Sequence, residues 1–368
     1  MKIVIPLPKR FFNLARRSTG FCQDIFITGM VIMSVPPAWA AASNETVPAN
    51  EAATTQQIVQ MIEANVRAEV RDGSAHRDAH PKAHGCVHAE FRVNPKLSKE
   101  LQVGIFAESQ IYPAWIRFSN GSGKVQDDKV GDARGMAIKL MGVTLSASGT
   151  QDFIMINHPV FLVRNAEDYV EFEKAILADK PSQFFFPGWN PFKFRFHEFG
   201  IANAIRNKKV ANPLSIQYWS ATPYLFGSTA MKFSARPCGG SSSFIETGSP
   251  DFLRENMSKQ LAQGPGCFDF LVQLRSYPLK MPIEDPTFEW SEKDAPFFPV
   301  ARITIPPQVF NSPDQQSMCE DLSFTPKHTI PEYQSLGGIN RVRQTVYETI
   351  SRVRHEINGK KRQEPTGF

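Results

Sequence analysis

The chain has 368 residues, and 42% of them are hydrophobic, which is enough apolar material for one large domain or two ordinary ones. Its formal net charge is +5, but the first 40 residues carry five Lys and Arg against one Asp, a surplus of +4, so the remainder is near +1. This weak charge argues against a nucleic-acid partner, and the lack of an internal repeat argues against a solenoid or propeller.

Residues 1–40 have the features of an export signal. A basic region precedes an apolar run over residues 25–35, and residues 38–40 (Ala-Trp-Ala) have the small-x-small form of a cleavage site. The apolar run is short for a membrane span. We therefore expect an exported protein in the periplasm, with a membrane anchor formed by residues 25–40 as the alternative.

The sequence after residue 40 predicts an α+β domain. A polar linker over residues 43–55 is followed by an amphipathic helix over 56–70, in which Ile58, Ile62 and Val66 share one face. Further helices are expected over 163–178 and 251–263, and the stretch 184–207, rich in Phe and Pro, is expected to be an irregular helical excursion. Strands are expected over 86–93, 115–119, 136–140, 153–156, 160–163, 231–235, 267–274 and 298–305. Strands in two batches with helices between them favour an antiparallel sheet or a closed barrel.

Four cysteines remain after the predicted cleavage site, namely Cys86, Cys238, Cys267 and Cys319. In an exported protein they can pair in three ways, and buried free thiols are equally compatible with the sequence. Their spacing matches no zinc site.

The last predicted helix covers residues 338–358. Asn340 can cap its beginning and Gly359 can end it. Valine and isoleucine recur at helical spacing between Val342 and Ile357 and supply an apolar face.

Three polar residues share another stripe of this helix. Arg343, Tyr347 and Arg354 fall within about 60° of one another, whereas Arg352 points elsewhere. A phenolate can bind ferric iron, and a neighbouring guanidinium stabilises its negative charge. A surface helix with solvated arginines is the alternative explanation of this pattern.

Histidines recur every four residues from His76 to His88, which on a helix would form a metal-binding stripe. Pro81 and Gly85 interrupt any such helix, and the alternation that follows is that of a strand. We therefore do not expect a four-histidine metal site.

The pattern R-x-x-x-Y-x-x-x-x-R-x-R over residues 343–354 resembles the proximal signature of the haem catalases. In that family the tyrosine binds the haem iron, the first arginine pairs with the phenolate and the last holds a haem propionate. The resemblance implies haem b as cofactor, Tyr347 as the ligand of its iron, and Arg343 and Arg354 as cofactor-binding residues.

Upstream segments resemble the other half of a catalase site, in the same order along the chain. R-x-x-H-x-K at residues 77–82 implies that His80 is the distal catalytic histidine and that Arg77 binds a propionate. R-F-S at residues 117–119 implies a second propionate ligand, Arg117, and a serine, Ser119, that orients the distal imidazole. The interval from His80 to Arg117 matches that of the family, which favours His80 over His88.

Two more segments complete the resemblance. Residues 132–139 match D-x-R-G-x-A-x-K, and residues 157–161 resemble N-x-P-x-F, which implies that Asn157 is the second distal catalytic residue. Pro81 departs from the small residue that the family has after the distal histidine. Proline fixes the local backbone path, so it affects where the imidazole lies.

The resemblance implies a catalase-like antiparallel β-barrel with inserted and flanking helices, without the C-terminal helical domain of large catalases. The expected division is a signal peptide (1–40), a linker and helix (41–75), a haem-binding domain (76–359) and a tail (360–368). Chain length favours the short, catalase-related peroxidase branch.

The implied function is a catalase or peroxidase that acts on hydrogen peroxide or an organic hydroperoxide, with an electron donor that the sequence does not identify. One alternative is a fatty-acid hydroperoxide isomerase, whose apolar channel residues 184–199 could line. A non-catalytic haem-binding protein is another, and a homo-oligomer is compatible with the family.

Overall fold

The computed structural model describes residues 45–70, 73–239 and 248–368, and within them nine strands form one antiparallel sheet. The strands run in the order β5-β4-β3-β2-β1-β9-β8-β7-β6, and β5 also pairs with β7. This last pairing closes the eight strands from β5 to β7 into a barrel, and β6 extends it as a hairpin with β7. The strands are β1 (Ala83–Val93), β2 (Ile111–Asn120), β3 (Arg134–Met141), β4 (Thr150–Ile156), β5 (Tyr218–Trp219), β6 (Tyr224–Phe226), β7 (Thr229–Pro237), β8 (Gly266–Leu274) and β9 (Phe297–Ile305).

The interior of the barrel is filled with aromatic side chains. Phe270 lies at its centre, with ring centroids 4.7 Å from Phe153, 5.2 Å from Phe91 and 5.7 Å from Phe233. All four rings are essentially inaccessible to solvent. The barrel is therefore a packed core, and a ligand site has to lie outside its wall.

Seven α-helices flank the barrel in the described part of the chain. Helices α1 and α7 pack against each other and against α2 through buried apolar side chains, among them Ile58, Ile62, Val170, Val342 and Val346. This helical layer faces the strands β2 to β4 across the cavity described below. The helices are α1 (Glu51–Ala68), α2 (Ala166–Leu177), α3 (Ser182–Phe185), α4 (Phe196–Arg206), α5 (Phe252–Gln263), α6 (Pro313–Asp321) and α7 (Gly338–Ile357).

The predicted fold class is confirmed, and seven of the eight predicted strands are found with ends that differ by a few residues. The exception is 160–163, which is not a strand. Pro159 precedes it, and the backbone N–H of Phe161 donates to the carbonyl of Pro286 instead of to a neighbouring strand. Strands β5 and β6 were not predicted, because two or three residues are too short to show an alternating pattern.

The start of one helix and the cap of another also differ from prediction. Helix α1 begins at Glu51, five residues early, where this carboxylate binds Arg341 of α7 at 2.6 Å. Asn340 does not cap α7, since the helix already begins at Gly338 and Asn340 is buried within it. Gly359 follows the helix with a φ of 62°, as expected of a glycine that ends a helix.

Residues 360–368 lie along the barrel. Glu364 forms an ion pair with the buried Lys139 at 2.7 Å, and the ring of Phe368 lies 4.9 Å from that of His88. The predicted tail and the helix α1 therefore pack on the same body as the barrel.

The predicted signal peptide lies outside the described residues, as does Cys22. No helix in the described part of the chain is both long and apolar enough to cross a lipid bilayer.

The four cysteines that follow the predicted leader form two disulfides, Cys86–Cys319 and Cys238–Cys267. The first closes a sequence separation of 233 residues and joins α6 to β1. The second closes only 29 residues, and the backbone N–H of Cys238 also bonds the carbonyl of Cys267.

We expect the two disulfides to differ in their contribution to stability. Chain entropy assigns about 5 kcal/mol to the longer closure and about 3.5 kcal/mol to the shorter one, since the restriction of the unfolded chain grows with loop length. Denaturant unfolding of the double variants Cys86→Ser/Cys319→Ser and Cys238→Ser/Cys267→Ser measures both. Recovery of free thiols at these four positions in unreduced protein would contradict the pairing.

Candidate active site

A cavity of about 250 Å³ lies between the outer wall of β2 to β4 and the helices α1 and α7. Apolar residues form most of its wall, including Ile62, Ile154, Ile156, Val346 and Ile350. Seven of the eight predicted site residues line it, namely Arg77, His80, Arg117, Ser119, Arg343, Tyr347 and Arg354. Residues that are up to 277 positions apart in the chain are thus brought to one cavity.

His80 lies shortly before β1, and both its backbone and its side chain are held by hydrogen-bond contacts. Its backbone N–H donates to the carbonyl of Gly121 at 3.2 Å, and its φ of 62° is left-handed. Its ring nitrogen Nδ1 lies 3.0 Å from the Ser119 hydroxyl. Burial, and then the charge of Arg117, lower the pKa of His80 to about 4, so the imidazole is neutral at pH 7 and can accept a proton.

Gly135 makes room for this arrangement. A Cβ at Gly135 would lie 2.8 Å from His80 Nδ1 and 2.8 Å from Ser119 Oγ, closer than such atoms approach. Gly135 belongs to the D-x-R-G-x-A-x-K segment, which its resemblance to catalases had already singled out. The serine–histidine pair therefore requires a residue without a side chain on β3.

We expect Gly135→Ala to displace His80 and to lower turnover about 10²-fold, because small misplacements of a catalytic group carry large rate costs. Gly264→Ala is the matched control, since nothing lies within 4 Å of a Cβ at that position. Thermal unfolding should show both variants folded. Full activity of Gly135→Ala would contradict the close packing of the imidazole on this glycine.

Tyr347 and Arg343 lie one turn apart on α7. Arg343 Nη2 is 3.5 Å from the Tyr347 hydroxyl, and the guanidinium is itself held by the Thr222 hydroxyl at 3.1 Å and by Asn340 Oδ1 at 2.9 Å. Burial acts to lower the pKa of Arg343, but the phenol oxygens of Tyr347 and Tyr224 outweigh it and raise that pKa. Arg343 is therefore a fixed cation beside the phenol. Asn340, which was expected to cap the helix, positions this arginine instead.

Three guanidiniums gather at another part of the cavity wall, with one carboxylate between them; Arg117 and Arg354 are buried and Arg77 is half-buried. Glu320 on α6 binds Arg77 at 2.6 Å and Arg354 at 2.5 Å. Arg117 donates to the carbonyl of His80 at 2.8 Å, and its Nε is buried without a hydrogen-bond partner in the described structure. Burial, followed by the charge of Arg77, lowers the pKa of Arg117, whereas Glu320 opposes the shift. The cluster has an excess of two positive charges.

Sequence reasoning did not identify Glu320. It belongs to α6, a short helix that was not predicted and that has few apolar residues to show a period. Cys319, the preceding residue, is bonded to Cys86 of β1 and so fixes this part of α6 against the barrel. Only the disulfide pairing could have placed Glu320 near Arg77.

Asn157 is the predicted site residue that does not line the cavity. It follows β4 and is 3% exposed, and its Oδ1 accepts a hydrogen bond from the backbone N–H of Arg134 at 2.8 Å. Lys208 donates to its carbonyl. Its neighbour Ile156 does line the cavity, but a catalytic role for Asn157 stays a prediction.

The aromatic stretch 184–199 was expected to be able to line an apolar channel, but none of its residues lines the cavity. Its phenylalanines pack instead against one another and against Phe161 and Tyr169, which are cavity residues. The irregular helical path of this stretch is confirmed, with α3, two short 3₁₀ turns and the start of α4.

The cavity fits the predicted haem on four observations. Its walls are apolar, as a porphyrin requires, and an excess of two positive charges matches two carboxylates. The unpartnered Arg117 Nε is a donor available to such a group. Tyr347, with a guanidinium beside its oxygen, is a suitable ligand for ferric iron. Among the described residues, no cluster of three or more His, Cys, Asp and Glu could hold a metal ion on its own.

Comparison with known proteins finds similarity to catalases. The catalase family model matches residues 39–193, which include His80, Ser119 and Asn157 but not Tyr347. No curated protein matches the chain.

Solved structures of catalases share the fold. A fungal catalase has a TM-score of 0.63 at 18% identity, with 79% of this chain and 61% of that chain covered. Catalase A from Saccharomyces cerevisiae has a TM-score of 0.63 at 19% identity (80% and 64% covered), and a bacterial catalase 0.62 at 17% identity (82% and 62% covered). The chain thus spans less than two thirds of these catalases. The catalase family model thus matches part of the chain, residues 39–193, and the solved structures show that its fold is that of catalases.

Proposed function

We propose that the protein is a haem-dependent oxidoreductase that consumes hydrogen peroxide or an organic hydroperoxide, as a catalase or a peroxidase. The observation that carries the proposal is a single cavity that combines a neutral, oriented imidazole with a phenol held beside a buried guanidinium. Together the two pairs would supply a proton carrier and an iron ligand.

Four residues would hold the cofactor besides Tyr347. Arg343 would stabilise the phenolate of the ligand Tyr347, and Arg77, Arg117 and Arg354 would bind the two propionates. When bound, haem b supplies the redox-active iron that takes up the oxidising equivalents of the peroxide.

His80 would move the proton. A peroxide loses a proton from one oxygen and needs one on the other when the O–O bond breaks and water leaves. A neutral imidazole can make both transfers, and the Ser119 hydroxyl at 3.0 Å keeps the ring in one orientation. Asn157 would hold the second oxygen if its amide reaches the cavity.

The test is an absorbance spectrum of the protein loaded with haem b, followed by a pulse of hydrogen peroxide. We expect a Soret band with ferric-phenolate charge-transfer features, and rapid loss of peroxide. A Soret band without peroxide loss would indicate a haem carrier, and no haem binding would reject the proposal.

Catalase and peroxidase turnover are separated by measuring oxygen release and the oxidation of a bulky phenolic donor on one sample. We expect donor oxidation to be larger, relative to oxygen release, than in a full-length catalase. Ala79 lines the cavity and is exposed to solvent, so a donor can approach the site next to His80. Sustained oxygen release without donor oxidation would make the protein a small true catalase.

We also propose that the protein is exported. Two disulfides are typical of an oxidising compartment and support the interpretation of residues 1–40 as a signal peptide. We expect protein recovered from the periplasm to lack these residues in N-terminal sequencing. An intact N-terminus in a soluble cytoplasmic fraction would contradict export.

A further inference from the structure

The aromatic segment, defined here as residues 179–209, exposes several large apolar side chains. Phe192 is 99% exposed and Trp189 76%, and Phe196 and Phe199 are exposed on the same segment. Contiguous exposed aromatic groups of this kind mark an interaction surface, because water disfavours them.

The exposed rings pack against other aromatic side chains of the same segment. The rings of Phe186 and Trp189 are parallel within 6° with centroids 5.9 Å apart, and Phe186 also lies 5.0 Å from Phe199. Beneath them Phe184 and Phe185 are buried. Trp189 has a left-handed φ of 55°, an unfavourable conformation for a bulky residue, in a turn that leaves its side chain in solvent.

The same segment is strongly basic. It contains six Lys and Arg against two acids, a net charge of +4, whereas the whole chain after residue 40 is near +1. Both acids pair with cations outside the segment: Asp179 with Lys124 at 2.9 Å, and Glu198, which is 1% exposed, with Arg164 at 2.6 Å. Of the six cations, Arg195 pairs with Asp168 at 3.0 Å, whereas Lys193, next to Phe192, is exposed. The segment therefore combines exposed rings with a net positive charge, and Lys193 lies beside one of the rings.

We propose that the aromatic segment docks the protein onto the surface of an anionic phospholipid bilayer. Trp and Phe side chains insert at the boundary between headgroups and acyl chains, and neighbouring lysines bind the lipid phosphates. This surface goes beyond the proposed function, since it does not depend on the haem or on the cavity.

A second copy of the chain fits this surface less well. A twofold contact places the same face of both subunits together, so two surfaces of +4 would repel each other. Lysine is also depleted from protein interfaces, whereas it is common beside membrane-inserted aromatic residues.

The test is vesicle binding by the full chain, with phosphatidylcholine vesicles and with phosphatidylcholine–phosphatidylglycerol vesicles. We expect binding to the anionic vesicles only, reversed by high salt. The double variant Trp189→Ser/Phe192→Ser should weaken it at least about tenfold, because two large side chains no longer leave water. Leu279→Ser is the matched control, since Leu279 is fully exposed outside the segment, and it should bind as the native protein does.

Charge and insertion are tested separately. Lys193→Glu should weaken binding to anionic vesicles by roughly fivefold or more, whereas Lys99→Glu, at another exposed position, should have little effect. Brominated lipid should quench part of the tryptophan fluorescence of the native protein, and Trp189→Ser should remove that part. This local readout is unaffected by any binding through residues 1–40.

Three results would overturn the proposal. One is equal binding to neutral and anionic vesicles, and another is brominated-lipid quenching that Trp189→Ser leaves unchanged. The third is a native dimer in sedimentation velocity that Trp189→Ser/Phe192→Ser converts to monomer, which would make this face an interface between copies of the chain.

Discussion

Tyr347→Phe protein is expected to lose the ferric-phenolate features of the haem-loaded spectrum and to retain haem at least about 10²-fold less tightly. The phenol oxygen is the proposed iron ligand on α7, and loss of a mere supporting partner of a metal ligand already costs 10- to 100-fold in affinity. Phenylalanine keeps the ring and its packing, so the fold should persist. Spectral titration with haem b measures the effect.

Tyr169→Phe is the matched control for this prediction. Tyr169 also lines the cavity, but it lies on α2 and no guanidinium hydrogen bond to its hydroxyl is found in the described structure. Burial raises the pKa of Tyr169 well above its usual value, which disfavours the phenolate. An unchanged ferric spectrum in Tyr347→Phe, or a spectrum lost only in Tyr169→Phe, would move the iron ligand away from Tyr347.

His80→Ala is expected to retain haem and to lose peroxide consumption by about 10²- to 10⁴-fold, the usual contribution of a positioned acid–base group. The imidazole is the proposed proton acceptor of the cavity, and its Nδ1 lies 3.0 Å from the Ser119 hydroxyl. Stopped-flow mixing of haem-loaded protein with peroxide measures the loss directly.

His88→Ala is the control. His88 lies on the outer face of the barrel like the cavity residues, but it packs against Trp115 and Phe368 and does not line the cavity. Its removal should leave peroxide consumption unchanged. Loss of activity in His88→Ala alone would transfer the catalytic role to His88.

The same assignment predicts a pH dependence. The pKa of His80 is lowered to about 4, so its active, neutral form predominates above that pH and is lost as the pH falls through it. Peroxide consumption should therefore be level from neutral pH down to about 5 and should decline near 4. A midpoint near the ordinary histidine pKa of about 6.5 would show that the imidazole is not buried in this way.

The sequence by itself predicted most strands of the barrel and most of the residues that line the cavity. The seven strands other than β5 and β6 alternate clearly enough to be found, because each is long and has one face on an aromatic core. Resemblance to short segments of the catalase family predicted that His80, Tyr347 and the arginines belong to one site, and all of them line one cavity. Where a run contained proline, as beside 160–163, periodicity predicted a strand that does not form.

The tertiary structure alone decided how these groups are arranged. The ion pairs of Glu320 with Arg77 and Arg354, the support of Arg343 by Thr222 and Asn340, and the disulfide pairing all join residues distant in the chain. Such contacts leave no local period, since they depend on barrel closure and on the packing of α6 and α7 against it. For the same reason the sequence could not show that the aromatic stretch 184–199 faces solvent instead of the cavity.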